Sequence, residues 1–89
     1  MSGGHWNYVG YRLNDALSMI ARDKTVIKRW PHIAVLFDTL GEILLTAEHE
    51  MDWALSENSN IENDKALQLQ ICNQVLEIAA KVTSEAIKV

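Results

Sequence analysis

Apolar residues recur along this chain with the period of a helix. From Pro31 to Glu57, the positions Ile33, Phe37, Leu40, Leu44, Ala47, Met51 and Leu55 follow steps of three and four. That spacing sets them on one stripe of a single long helix. Upstream, Val9, Leu13, Leu17 and Ile20, with Ala16, form a shorter stripe over about residues 9–22. Downstream of a polar run from Ser56 to Asn60, Leu67, Ile71, Val75, Ile78 and Val82 make one stripe. Leu69, Cys72, Leu76, Ala79 and Ala86 make a second beside it, and together they predict a third helix over about 60–88. No segment alternates with period two, so no strand is expected.

The punctuation agrees with this division. Asn7 is a candidate N-cap for the first helix. Asp23-Lys24-Thr25 breaks it, with Thr25 a candidate cap for one short turn through Lys28. Arg22 and Lys24 then stand near the first helix's carboxyl end, where the dipole favours cations. Pro31 suits the first position of the long helix. Ser59 and Glu62 have the spacing of a capping box. Gly10 and Gly41 lie inside helical stretches and mark candidate close backbone contacts.

At 1.5 Å per residue the two long helices are each about 40 Å long, and the first is about half that. A short loop makes the long pair an antiparallel hairpin, with the first helix covering half of its groove. The expected fold is all-α: a short N-terminal helix plus a long antiparallel helical hairpin. The wide apolar face of the third helix is left wet in one chain, so homo-oligomerisation, as a dimer or a multiple of one, is expected to complete the bundle. The chain has 89 residues, which predicts a single domain, 1–89, with residues 1–8 as an N-terminal arm. Cys72 is the one cysteine. It excludes an intrachain disulfide and reads as a small core residue.

Charge is unevenly distributed. Residues 1–32 carry five basic and two acidic side chains, a net +3, whereas residues 33–89 carry three basic and ten acidic, a net −7. A general nucleic-acid binder shows a broad basic face, which is missing here. One local anion site in the first third is compatible with the pattern. No signal peptide is visible, and the longest apolar run, Ile33 to Phe37, is far too short to span a membrane. A soluble, cytoplasmic protein is the expectation.

Two places carry candidate chemistry. Lys28-Arg29-Trp30 immediately precedes Pro31, at the start of the long helix. Free backbone N–H groups and a positive dipole end favour an anion there, and two cations with an indole suit a phosphate bearing a base. His5, Trp6, Tyr8, Tyr11 and Arg12 complete that pocket if the arm docks on it. At the other end of the long helix, Glu48, Glu50, Asp52 and Trp53 gather against an already negative dipole. They form a candidate partner-binding face, solvated and acidic. Neither Glu-x-x-Glu nor Glu-x-x-Asp occurs in the sequence, and no nucleophile triad or phosphate-binding loop is visible. No cofactor or metal is expected.

Ser2-Gly3-Gly4-His5-Trp6-Asn7-Tyr8 resembles the opening of a family of small bacterial and phage proteins. These begin Ser-Gly-Gly-His, an aromatic, Asp or Asn, and Tyr. The similarity continues through Tyr11-Arg12-Leu13-Asn14-Asp15. It returns at Asp52-Trp53-Ala54-Leu55-Ser56, with departures at Ala54, Glu57 and Asn58 from the family's Asp-Trp-Leu-Leu-Ser-Gly-Asp. The resemblance implies a bacterial or phage source, hence a bacterial host cell, and no activity. The expected function is a non-enzymatic helical binding protein, a phage-type accessory protein that sequesters a small anionic, nucleotide-like ligand such as a host-defence signal. The alternative is a protein-interaction module that inhibits a host enzyme through its acidic helix end. A metal-dependent nucleotide hydrolase comes third.

Overall fold

The computed structural model describes residues 6–56 and 64–88. These form four α-helices and no strand: α1 (Val9–Ala21), α2 (Lys24–Arg29), α3 (Pro31–Ser56) and α4 (Asp64–Ile87). The candidate capping box at Ser59 and Glu62 lies outside the described residues.

Two helix starts differ from expectation. Asn7 and Tyr8 both adopt left-handed backbone, with φ of 53° and 57°. The N-cap of α1 is Tyr8, without a side-chain cap. Left-handed geometry costs a non-glycine residue about 1–3 kcal/mol. Arg12 helps hold it, since its Nη1 donates to the Asn7 carbonyl at 2.9 Å. The cap of α2 is Asp23, not Thr25. Its Oδ1 accepts from the Thr25 and Val26 N–H groups at 2.8 and 3.1 Å. A carboxylate two residues earlier reaches two free donors that the Thr25 hydroxyl does not. Arg22 is the C-cap of α1, while Lys24 is the first residue of α2.

Trp30 joins two helices through its backbone. Its N–H donates to Val26 O at 2.6 Å, closing α2, and its carbonyl accepts from Ala34 N at 3.1 Å, opening α3. Pro31 follows with no N–H to satisfy.

The contact between α1 and α3 is made by glycines. A Cβ on Gly10 would stand 2.8 Å from Glu48 Oε2 and 3.0 Å from Leu45 Cδ1, and one on Gly41 would meet the Asn14 side chain. Early α1 therefore lies against late α3, and the two helices run antiparallel. Ala21 and Ala34, at the other end of this seam, are both buried.

α3 touches α1, α2 and α4, while α1 and α4 do not touch each other. This corrects the expectation that α1 fills a groove between the long helices. On α3, the residues facing α1 (Gly41, Leu45, Glu48) and those lining the groove with α4 (Thr39, Ile43) lie about 170° apart at 100° per residue. The neighbours thus flank α3 on opposite sides. The result is a single layer measuring 49 × 24 × 9 Å over its Cα atoms. Its radius of gyration is 15.3 Å, against about 12 Å for a compact chain of this length.

A single layer leaves its apolar stripes largely open, with Ala47 on α3 a buried exception. The α3 stripe sits between its two neighbours on one flat face, about 80° from the α1 contact. The α1 stripe is offset from the same contact by about the same angle in the same sense, so in antiparallel helices both stripes open to one side. Leu13, Ile20, Ile33 and Met51 accordingly keep 42–43% of their surface exposed. Phe37, Leu40 and Leu44 are intermediate. On α4 the first stripe turns inward, with Ile78 buried. The second turns outward, with Leu69 and Leu76 exposed. Cys72 belongs to that outward stripe and is exposed, contrary to its reading as a core residue. The polar side of the layer carries Asp15 and Arg22 on α1 and Asp38 and Glu42 on α3, all exposed.

Two stability measurements check these assignments at one fixed protein concentration. Gly10→Ala gains up to ~1 kcal/mol of helix propensity but overpacks the Glu48 and Leu45 contact at about 1–3 kcal/mol. A net loss of about 1 kcal/mol in urea unfolding is expected, removed when Glu48→Ala makes room. Asp23→Ala is expected to cost about 1 kcal/mol through loss of the α2 cap, with Thr25→Ala nearly silent.

Candidate functional site

The basic–aromatic junction is built by the passage from α2 into α3. Lys28 and Arg29 occupy the last turn of α2, where their charge complements the dipole. The Arg29 guanidinium lies over the Trp30 ring, 4.4 Å from its centroid, a cation–π contact. Lys28, Arg29 and Trp30 are all exposed. The next backbone N–H groups, of His32 and Ile33, fall in the first turn of α3, where no preceding turn supplies acceptors. An indole, a planar cation, a flexible ammonium and two backbone donors thus share one end of a 26-residue helix.

The remaining members of the expected ligand pocket lie elsewhere. Gly10 rests on Leu45 and Glu48, which are 14 and 17 residues beyond Pro31, or about 21–26 Å along α3. Trp6, Tyr8, Tyr11 and Arg12 belong to this distant end of α1. Within one chain they do not close a pocket with Lys28–Trp30. The reason is the antiparallel α1–α3 contact, which carries the N-terminal segment to the carboxyl half of α3. Tyr8 and Tyr11 pair with ring centroids 6.3 Å apart at 53°, and both are exposed. His5 lies outside the described residues.

The acidic end also divides. Glu48 is 9% exposed and Asp52 is 0% exposed, so neither is available as a solvated docking charge. Glu48 is covered because Gly10 has no side chain to hold α1 away. Its Oε1 has no hydrogen-bond partner. Glu50 and Trp53 stay exposed. Trp53 pairs with His49 at 6.2 Å and 60°. The partner-binding face read from the four residues is therefore reduced to Glu50 and Trp53.

Sequence reasoning missed Asn14 as the contact of Gly41 and Gln74 as a group whose buried Oε1 lacks a partner. No signal marks either one, since polar side chains do not enter the hydrophobic period. An open groove of about 520 Å3 runs along the polar side of α1 between Asn14 and Asp23. Another, of about 290 Å3, separates α3 from α4 beside Ile43 and Ile78. Neither includes a residue of the basic–aromatic junction. Among the described residues, no three His, Cys, Asp or Glu side chains are grouped to hold a metal ion, and no helix is long and apolar enough to cross a membrane.

No family model, curated protein or solved structure matches this chain.

The burial of Asp52 can be tested against the exposure of Glu50, two residues away. Asp52→Lys is expected to destabilise by at least about 3 kcal/mol, because it puts a longer side chain of opposite charge into a fully buried position. Glu50→Lys should stay within about 0.5 kcal/mol of wild type, as surface changes do. Circular dichroism during urea titration reads both.

Proposed function

We propose that this is a non-enzymatic helical binding protein that works as a homo-oligomer and holds a small anionic, nucleotide-like ligand at Lys28–Trp30. The observation that carries the binding surface is the Arg29–Trp30 stack at 4.4 Å, set at the start of the longest helix. A phosphate there meets a guanidinium, an ammonium and backbone donors, while a base has the Trp30 indole for stacking. The single-layer shape supports the oligomer, since one layer of helices encloses no core. The long pair α3 and α4 completes an antiparallel hairpin in this reading. The resemblance of the opening motif to bacterial and phage proteins supports an accessory role in a bacterial cell, as a sink for a nucleotide signal.

The inhibitor reading draws on fewer residues, because Glu48 and Asp52 are buried. Glu50 and Trp53 are what it retains.

Thermal-shift screening with linear and cyclic nucleotides tests the ligand. At least one nucleotide is expected to raise the melting temperature, with about 2.7 kcal/mol of stabilisation at a hundredfold excess over Kd. Arg29→Ala should abolish that shift while leaving the mass by light scattering unchanged. A flat response across the set sinks the ligand reading.

A further inference from the structure

The open apolar face is the feature that the ligand site does not use. It is formed by α1 and α3, and none of its side chains is charged. Its α1 members are Val9, Leu13 and Ile20, and the α3 stripe runs from Ile33 to Leu55. A nucleic acid or a charged peptide finds no counter-charge on it. The layer measures 49 × 24 Å across, of which α1 and α3 make up about two thirds, an outline of about 800 Å2, comparable to the roughly 800 Å2 per partner that a stable interface buries. The surface is therefore large enough for a permanent association. It also lacks what a permanent association supplies: a second layer to enclose a core.

The α3 stripe has a further property. Counted from Leu44, four of its large residues, Ile33, Phe37, Met51 and Leu55, stand at −11, −7, +7 and +11, while Leu40 at −4 falls opposite Glu48 at +4. Those four positions are the same read in either direction. A stripe with that symmetry is complementary to itself run backwards, with Leu44 on Leu44, Phe37 on Met51 and Ile33 on Leu55. Antiparallel stacking also opposes the two helix dipoles.

We propose that the occupant of this face is a second copy of the chain, stacked face to face about a two-fold axis that crosses α3 at Leu44. This rests on the homo-oligomer reading above and specifies its surface and direction. The two copies form a two-layer sandwich, with the α3 stripes as its centre and the α1 stripes beside them. The axis lies in the plane between the layers and reverses α3. Each Lys28–Trp30 junction consequently lies toward the half of the other copy that carries Trp6, Tyr11 and Arg12.

Cysteine cross-linking tests the direction. In a Cys72→Ser background, the double variant Ile33→Cys/Leu55→Cys is expected to give a covalent dimer with a short bismaleimide. The two introduced thiols are about 33 Å apart within one helix, so the link must join two chains. Neither single variant should cross-link, because each site lies far from its own copy across the axis. Cross-linking by the single variants overturns the antiparallel arrangement. Light scattering on the unmodified protein tests the oligomer separately. Twice the chain mass, falling to one chain mass in Leu13→Glu/Ile20→Glu, is the expected result. A monomer that instead floats with phosphatidylcholine vesicles makes the face a membrane contact and overturns both. An oligomer that keeps its mass in Leu13→Glu/Ile20→Glu, and gives no link in the double cysteine variant, overturns the surface while leaving oligomerisation standing.

Discussion

The close approach of α1 to the flank of α3 determines the rest of this structure. Gly10 lets Glu48 and Leu45 come up to the backbone of α1, and Gly41 does the same for Asn14. Each glycine costs helix stability on its own, up to ~1 kcal/mol. That cost is offset by dispersion contacts between backbones that no side chain holds apart. Because the contact lies on the side of α3 rather than on its apolar stripe, α1 does not cover the stripe. α4 takes the opposite flank. Three helices then share one plane, and the molecule has two broad faces instead of an interior.

This geometry explains why the buried apolar residues described are mostly small: Ala21, Ala34 and Ala47, with Ile78. Helices meet edge to edge through small side chains, while the large ones project from the layer. It also explains the two buried carboxylates. Glu48 and Asp52 are one turn apart on the α1 side of α3. Contact with α1 removes Glu48 from water, and Leu45, three residues before it, meets α1 on the same side.

The helices themselves were largely legible in the sequence. Period, Pro31 and the polar break after Leu55 define α1, α3 and α4 closely, because those signals act within one turn. The packing was legible only in part: Gly10 and Gly41 stood out as close backbone contacts, but not what each would touch. A stripe such as Ile33 to Leu55 states that a surface is apolar, but not whether a neighbour in the same chain covers it. The partners of α3 were chosen by Gly10, Gly41 and Asn14, whose side chains are too small or too polar to register as a stripe. The same limit separated the candidate site. Trp6 to Arg12 and Lys28 to Trp30 are close in sequence and share a chemical theme, yet an antiparallel return carries them to opposite ends of α3. The Lys28–Trp30 junction itself was legible, because it depends on adjacent residues and a proline.

A layer only 9 Å thick over its Cα atoms has a bearing on how long such a chain survives in a cell. Proteases and chaperones sample chains whose apolar surface is uncovered, and here the proposed second copy is what would cover much of that surface. Association depends on concentration. Under that proposal the first molecules made after synthesis begins would be the most exposed to clearance, and the population would become durable once copies are numerous enough to meet. Abundance in such a system acts as a threshold rather than a scale.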